Sequence, residues 1–349
     1  MPTFPELERC LLRLVSMLRS AERMMESLGG ALMMRQFTEE IGWRPLPPDT
    51  CDCCVAAVDS SFAAFETRLC VVYVVQGLAI SSRGASVKGA DAGTIAYSPS
   101  IEQGRFKVSP KRVVSAIAQL LEIELVSKAI EDSGGVDYAL MDGSALSFLL
   151  SKVGKVLSER IVNSVVRGSR IDVSTLCRAK LRRLTKLADR AVFVAKSSGL
   201  SLAMLGLSSV GSLVAPDLSM LEIARLANVE PLRRAGVSKV FRVRIEGRIA
   251  RSLGLDDYDL EMLRSRGIDT VSVMYVRIRD GAPAFQVSML GDVDESRVAE
   301  VVRCLARWSP LGYPVPLESV HRLSKLRRRV IKSLLRSLAP AVSGREVLE

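Results

Sequence analysis

Two aspartates follow apolar segments and precede small, turn-forming residues. Asp59 follows Val-Ala-Ala-Val at 55–58 and precedes two serines, and Asp142 follows Tyr-Ala-Leu-Met at 138–141 and precedes Gly-Ser. The pattern predicts two buried strands, each with a carboxylate at its end, where side chains leave the core and reach a cleft. Carboxylate oxygens are ligands that Mg²⁺ and Mn²⁺ prefer. In a basic chain, the pair predicts a divalent-cation site that acts on phosphodiesters.

A helix between the two aspartates supplies a third acid. Pro110 begins a predicted helix of about 22 residues that ends at Gly134-Gly135. With residues about 100° apart around the axis, Glu124 lies near the middle of an apolar stripe, whereas Glu122 points the opposite way. A carboxylate on the core-facing side is costly unless it pairs, hydrogen-bonds or binds metal. Glu124 is therefore the predicted third acid and Glu122 the reserve; a salt bridge from Glu124 at the stripe's edge is the structural alternative.

The single histidine and one lysine add to the predicted site. His321 ends the segment Gly-Tyr-Pro-Val-Pro-Leu-Glu-Ser-Val-His at 312–321, and Pro316 suits the first turn of a helix that carries it. Lys196 follows the apolar strand 191–195, so it either reaches the same cleft or lies at the edge of the sheet.

A run of cations follows His321 with no acid before Arg336. Its members are Arg322, Lys325, Arg327, Arg328, Arg329, Lys332 and Arg336. Such a run usually forms a solvent-exposed face. Because this run shares a predicted helix with His321, a phosphate-binding surface is at least as well supported as a merely solvated one. Arg322, Lys325 and Lys196 are the predicted phosphate contacts.

A mixed α/β fold brings these residues together. The predicted elements are, in chain order, strands at 54–59, 69–81 and 93–98, a helix from Pro110, a strand at 136–141 and a helix from Ser144 into the 160s. This order is the early part of an RNase H-like fold, whose first and fourth strands lie side by side and present acidic residues together. We therefore expect an RNase H-like mixed sheet flanked by helices, with helical extensions at both ends.

The remaining segments complete the predicted organisation. Further predicted elements are helices at 5–28, 31–41, 172–190 and 294–308, and strands at 240–246, 270–279 and 284–290, the last two joined by a hairpin turn at Asp280-Gly281. The expected divisions are an N-terminal helical segment at 1–48, an RNase H-like domain with inserted helices and a β-hairpin at 49–325, and a basic C-terminal helix and tail at 326–349.

Composition restricts the class of protein. The 349 residues are 48% hydrophobic and include 49 Lys and Arg against 38 Asp and Glu. The net charge of +11 favours a polyanionic partner, nucleic acid before membrane. Charged residues interrupt the N-terminal apolar stretch at 4–34, which argues against a signal peptide or a membrane span there. We therefore expect a cytoplasmic protein with no membrane contact.

The cysteines favour neither a zinc site nor a secreted disulfide framework. Cys51, Cys53 and Cys54 are clustered, but no second Cys-x-x-Cys supplies the remaining zinc ligands. Cys54 and Cys70 lie on apolar segments that could pair as strands, which allows a disulfide if the source is a hyperthermophile. Small residues packed in the core are the favoured interpretation.

Short motifs in a fixed order resemble those of the NurA nuclease family. They are Val-Asp59-Ser-Ser, Leu-Met-Asp142-Gly-Ser after a glutamate-bearing helix, Val-Ala-Lys196-Ser-Ser, and the segment that ends in His321. The resemblance spans about residues 50–325. It implies an archaeal, manganese-binding DNA nuclease with 5′ to 3′ polarity that works as a homodimer with the hexameric ATPase HerA in resecting DNA ends.

The resemblance also implies roles for particular residues. Asp59, Asp142 and an acid on the intervening helix match the family's metal-binding carboxylates, and His321 matches its C-terminal histidine. The family's first motif usually reads Asp-Gly-Ser, whereas Ser60 replaces the glycine here. If that turn needs a positive φ, serine would strain it and displace Asp59 slightly.

The ligand types predict two-metal chemistry. Two Mn²⁺ or Mg²⁺ ions about 3.5–4 Å apart can activate the attacking water and stabilise the leaving 3′ oxygen. Asp59 is the expected bridging ligand, with Glu124 and Asp142 completing the shell and His321 binding the second ion or protonating the leaving group. Single-strand endonuclease activity is a further possibility. The alternatives are a non-catalytic scaffold that binds nucleic acid or docks an ATPase, and an RNase H-like enzyme that cuts RNA or a hybrid.

Overall fold

The chain folds around one large mixed β-sheet that helices cover on both faces. The computed structural model describes residues 28–48, 51–66, 70–96, 110–150, 161–164, 169–197 and 217–338. The strands are β1 Val55–Glu66, β2 Cys70–Ser81, β3 Ser86–Ala96, β4 Tyr138–Asp142, β5 Ile161–Ser164, β6 Ser169–Asp172, β7 Ala191–Ala195, β8 Gly236–Val237, β9 Phe241–Arg244, β10 Thr270–Arg277 and β11 Phe285–Leu290. The helices are α1 Leu28–Ile41, α2 Pro110–Asp132, α3 Ala145–Leu149, α4 Val173–Leu184, α5 Asp217–Leu226, α6 Gly247–Leu253, α7 Asp257–Arg264, α8 Glu295–Trp308, α9 Val315–Ser324 and α10 Arg328–Leu338.

The strand order places the two aspartate-bearing strands next to each other. Within the described residues the order is β6-β5-β3-β2-β1-β4-β7-β11-β10-β8, and β9 also pairs with β10. β1 is antiparallel to β2 and parallel to β4, and β4 is parallel to β7. The predicted α/β architecture is confirmed, including the side-by-side arrangement of the first and fourth strands.

Alternation along β1 divides the core into two layers. Ala56 and Val58 pack with the apolar residues of α2 and α4, whereas Val55 and Ala57 pack with those of α8 and α9. All four side chains are completely buried. Because successive side chains of a strand point to opposite faces of the sheet, alternate residues of β1 pack against different helical layers.

Several predicted boundaries are wrong. β1 continues beyond Asp59 to Glu66, because residues 56–66 remain paired with β2 and the serines at 60 and 61 lie within the strand. β3 begins at Ser86, well before the predicted start. Of the helix expected from Ser144 into the 160s, the described part contains the short α3, residues 151–160 lie outside the described residues, and residues 161–164 form β5 instead.

The end of the chain also differs from the prediction. The basic run was expected on one helix with His321, but α9 ends at Ser324 because Lys325 adopts an extended backbone conformation. The run continues on the separate helix α10. At the other end, the predicted helix at 31–41 is confirmed as α1, and the predicted helix at 5–28 lies almost wholly outside the described residues.

A disulfide links the start of β1 to α8. Cys53 pairs with Cys304 across a sequence separation of 251 residues. Cys54 and Cys70, which the sequence suggested as a possible pair, are not joined to each other by a disulfide. The sequence did not indicate the observed pair, because Cys304 lies on a helix far along the chain. No helix in the described part of the chain is both long and apolar enough to cross a bilayer.

Candidate active site

Asp59 and Asp142 lie where the parallel pairing of β1 with β4 ends. The register joins Val58 to Met141, so an aspartate follows on each strand. Each aspartate lies two residues after an apolar side chain that faces α8 and α9, so both carboxylates face that layer. The side chain of Asp59 is 11% exposed and that of Asp142 is 23% exposed. The two aspartates thus lie close together, as predicted, although only Asp142 ends its strand.

The turn after Asp142 depends on a glycine. Gly143 has a φ of +118°, a conformation that L side chains rarely adopt, and its backbone N–H donates to the carbonyl of Val194 at 3.0 Å. Ser144 then accepts a hydrogen bond from the backbone N–H of Ser147 and caps α3. The Asp-Gly-Ser sequence therefore fixes the point at which the chain leaves the sheet.

His321 reaches the two aspartates from α9. Its Nδ1 lies 2.7 Å from Oδ2 of Asp59 and 3.7 Å from Oδ2 of Asp142. The three ligand atoms lie within 4.8 Å of one another. Gln76 of β2 donates from Nε2 to the carbonyl of Ser324 at 2.8 Å, which ties the end of α9 to the sheet. The predicted histidine therefore belongs to the same cluster as the two aspartates.

Ser60 connects this cluster to an acid on α2. Its backbone N–H donates to Oδ1 of Asp59 at 2.8 Å, and its hydroxyl donates to Oε1 of Glu122. Asn228 is the one non-glycine residue with a positive φ in the described part of the chain, so Ser60 has no such strain. The expected distortion from replacing glycine is not observed, because Ser60 lies in an extended strand.

The structure places Glu122, not Glu124, beside the two aspartates. Glu122 is 6% exposed. Glu124 pairs instead with Arg183 of α4 at 3.3 Å, and its side chain is 24% exposed. The helical phase pointed the other way because α2 packs against both the sheet and α4, so apolar residues surround it and no single stripe marks the core. Glu124 forms the salt bridge that was the structural alternative for it, and Glu122 is the glutamate of α2 that is linked to Asp59 through Ser60.

Burial and mutual repulsion make the acids of this cluster difficult to ionise. Burial raises the pKa of Glu122 to about 8, with a smaller contribution from the negative charges of Asp59 and Asp142. Burial also raises the pKa of Asp59, although the hydrogen bond with His321 partly lowers that pKa. The pKa of Asp142 is raised by burial and by the charge of Asp59. Crowded, desolvated carboxylates of this kind mark a functional site or a cation site.

Lys196 lies at the same cleft, against a tyrosine. The positive charge of Lys196 partly offsets the raised pKa of Asp142. Its Nζ lies 4.0 Å from the ring centroid of Tyr313. The Tyr313 hydroxyl is buried and has no hydrogen-bond partner among the described residues, and burial together with the charges of Asp142 and Asp59 raises its pKa. Sequence reasoning missed Tyr313, although it lies in the same segment as His321.

A model of the NurA domain matches residues 54–326. The chain belongs to the NurA family. This range contains every residue of the cluster, from Asp59 to His321.

Curated NurA proteins are similar along most of the chain. The "DNA double-strand break repair nuclease NurA" of Sulfolobus acidocaldarius is 23% identical over 298 residues, which cover 80% of this chain and 79% of that protein. The protein of the same name from Saccharolobus solfataricus is 26% identical over 299 residues, which cover 82% of this chain and 81% of that protein.

Solved NurA structures share the fold. The NurA nuclease from Sulfolobus solfataricus has a TM-score of 0.65 at 18% identity and covers 99% of this chain and 100% of its own. NurA bound to dAMP and manganese has a TM-score of 0.58 at 15% identity, covering 97% of each chain. The mixed sheet flanked by helices is therefore the NurA fold.

Proposed function

We propose that this protein is a metal-dependent DNA nuclease that hydrolyses phosphodiester bonds. The observation that carries the proposal is the convergence of Asp59, Asp142 and His321 within 4.8 Å, with the buried Glu122 joined to them through Ser60. Two NurA relatives are named as DNA double-strand break repair nucleases, and one NurA structure holds dAMP and manganese.

The side chains fit a divalent cation such as Mn²⁺. Asp59, Asp142 and His321 would hold it, and Glu122 would do so from the side of α2. These acids carry raised pKa values because they are buried beside one another, so a divalent cation would supply the missing counter-charge. An imidazole nitrogen among carboxylates favours Mn²⁺ over Mg²⁺. When bound, one or two ions would supply Lewis-acid stabilisation of charge at the scissile phosphate.

The protein groups around the acids would orient the substrate. Nδ1 of His321 is held by Asp59, which leaves Nε2 on the far side of a ring that is 53% exposed. As the alternative to holding the cation, His321 would transfer a proton from there to the leaving 3′ oxygen. Lys196, supported by the ring of Tyr313, would hold a non-bridging oxygen of the scissile phosphate. Each of these groups faces the cleft from a different element.

An exposed basic surface continues from His321. This surface, which we call the basic track, consists of the exposed or partly exposed side chains of Arg322, Lys325, Arg327, Arg328, Arg329 and Lys332. None of the six forms an ion pair with any residue that the structure describes. Unpaired cations gain most from a polyanion, because binding releases the counterions of the phosphate backbone. The basic track therefore supports DNA as the substrate and would guide its backbone into the cleft.

We extend the proposal to end resection with 5′ to 3′ polarity, to partnership with a HerA-type hexameric ATPase, and to a homodimer. These parts rest on the resemblance of the sequence motifs to the NurA family.

The test compares DNA degradation by the wild type, Asp59→Asn and Asp132→Asn in Mn²⁺. Asp132 is an exposed acid at the end of α2, so its variant controls for the loss of one negative charge. We expect cleavage by the wild type and by Asp132→Asn, and almost none by Asp59→Asn with the fold retained. Full activity in Asp59→Asn would overturn the assignment. Matched DNA, RNA and hybrid substrates separate the proposal from a ribonuclease, and DNA binding without any cleavage would support the non-catalytic scaffold.

A further inference from the structure

Three cysteine sulfurs meet at the end of the sheet away from the acidic cluster. Cys51 and Cys53 precede β1, and Cys304 lies on α8. Their Sγ atoms all lie within 4.8 Å of one another. Cys53 and Cys304 form the disulfide, with their Cα atoms 5.9 Å apart, and Cys51 is a free thiol. The fold thus brings a third sulfur to a disulfide that already joins two distant parts of the chain.

The three sulfurs lie in an apolar environment with two arginines nearby. Cys53 and Cys304 are 6% and 1% exposed, among the apolar side chains of the α8 layer, whereas Cys51 is only partly buried. Burial raises the pKa of the Cys51 thiol, but the positive charges of Arg303 and Arg307 act in the opposite direction. The cluster therefore has an apolar interior and a partly exposed sulfur at Cys51, with the positive charges of Arg303 and of Arg307 nearby, the latter paired with Asp52 at 3.0 Å.

We propose that, once the Cys53–Cys304 disulfide is reduced, the three sulfurs form a binding site for one soft divalent cation of the zinc class. Thiolates are the ligands that select such cations, and three protein ligands leave one coordination position for water. The site is separate from the acidic cluster, which offers oxygen and nitrogen ligands.

The two states interconvert by ordinary thiol chemistry. A phosphine reductant donates two electrons to the S–S bond and takes an oxygen atom from water to become the phosphine oxide, while Cys53 and Cys304 gain one proton each. Binding of the cation then releases one proton from each of the three thiols. Both the disulfide and the bound cation would tie the start of β1, which carries Asp59, to α8, which leads into the His321-bearing α9.

Titration with Co²⁺ tests the site directly, because thiolate-bound Co²⁺ gives a near-ultraviolet charge-transfer absorption that carboxylate and imidazole ligands do not. The protein is reduced with a phosphine and compared with the unreduced protein, with Cys51→Ser, and with Cys54→Ser. Cys54 is a free cysteine outside the cluster and serves as the matched control. Asp142→Asn removes an acid of the other cluster.

We expect one equivalent of thiolate-bound Co²⁺ in the reduced wild type, in Cys54→Ser and in Asp142→Asn, and none in the unreduced protein. Cys51→Ser should bind Co²⁺ at least about tenfold more weakly. Circular dichroism establishes that each variant is folded. A reduced, folded wild type without the absorption would overturn the proposal, and so would an absorption that Cys51→Ser leaves unchanged. Neither result bears on nuclease activity.

Discussion

The carboxylate of Glu122 accepts a hydrogen bond from the hydroxyl of Ser60, the residue that follows Asp59 in β1. Asp59 and Ser60 face opposite sides of the sheet, so this contact joins the aspartates on the α9 side to an acid on the α2 side. The hydroxyl of Ser60 therefore orients the carboxyl group of Glu122.

Glu122 and Glu124 should differ sharply in their effect on catalysis. Glu122→Gln removes a buried carboxyl group that is electrostatically coupled to Asp59 and Asp142, and we expect DNA cleavage in Mn²⁺ to fall by about 100-fold or more. Glu124→Gln breaks a partly exposed ion pair with Arg183 and should leave the rate within about threefold of wild type. Single-turnover cleavage of a labelled oligonucleotide measures both. Equal losses in the two variants would contradict the placement of the third acid.

Stability of the metal-free protein should fall as pH rises. Folding raises the pKa of Glu122 from 4.5 to about 8. Between pH 4.5 and about pH 8, Glu122 therefore keeps its proton in the folded protein, whereas the unfolded chain has released it. Raising the pH through this interval therefore lowers the free energy of unfolding, by a few kcal/mol at most. The buried Lys180, whose pKa burial lowers to about 8, acts in the opposite sense and only above that pH.

Urea unfolding in a chelator at about pH 5 and about pH 8 measures this dependence. The wild type should lose more stability between the two conditions than Glu122→Gln, which cannot release the proton. The raised pKa values of Asp59 and Asp142 act in the same direction in both proteins, so some dependence should remain in the variant. An identical pH dependence in the two proteins would show that Glu122 is not buried as described.

The ring of Tyr313 should matter through Lys196. Lys196→Met removes the proposed phosphate contact, and we expect kcat/KM to fall about 10- to 100-fold. Tyr313→Phe keeps the ring beneath the ammonium and should retain most activity, whereas Tyr313→Leu should lose part of it. If Tyr313 acts by holding Lys196, the double variant Lys196→Met/Tyr313→Leu will be no worse than Lys196→Met alone. Fully additive losses would argue for independent roles.

The Cys53–Cys304 disulfide should stabilise the fold. It closes a long loop, and its reduction in the presence of a chelator should lower the free energy of unfolding by about 2–5 kcal/mol. Cys54→Ser leaves the bond intact and should show the same loss on reduction, while Cys53→Ser should show none. Denaturant unfolding with and without a reductant provides the comparison. A loss of equal size in Cys53→Ser would mean that reduction acts elsewhere.

The sequence predicted the order of the central elements and most of the site. Apolar segments followed by Asp59 and Asp142 marked neighbouring parallel strands, and such strands bring equivalent positions to the same edge of a sheet. The position of His321 followed from its motif and from the helix begun near Pro316. These features depend on local patterns of one strand or helix, which a single sequence displays.

The parts that the sequence did not predict depend on packing between distant segments. Ser60 and Ser61 were interpreted as a turn, but pairing with β2 continues the strand through them. Glu124 was preferred over Glu122 because α2 was treated as a helix with one buried face, whereas α4 covers a second face. Cys304 meets Cys53 only because α8 packs over the start of β1. None of these relationships leaves a periodic signal in the sequence.

Anomalous scattering from a crystal soaked in Mn²⁺ tests most directly whether the acidic cluster is a metal site. The structure predicts a manganese peak between the carboxylates of Asp59 and Asp142, within coordination distance of His321, and its loss in Asp142→Asn. If a crystal of the folded protein soaked in saturating Mn²⁺ shows no peak, or a peak only at other residues, the assignment of this site is contradicted.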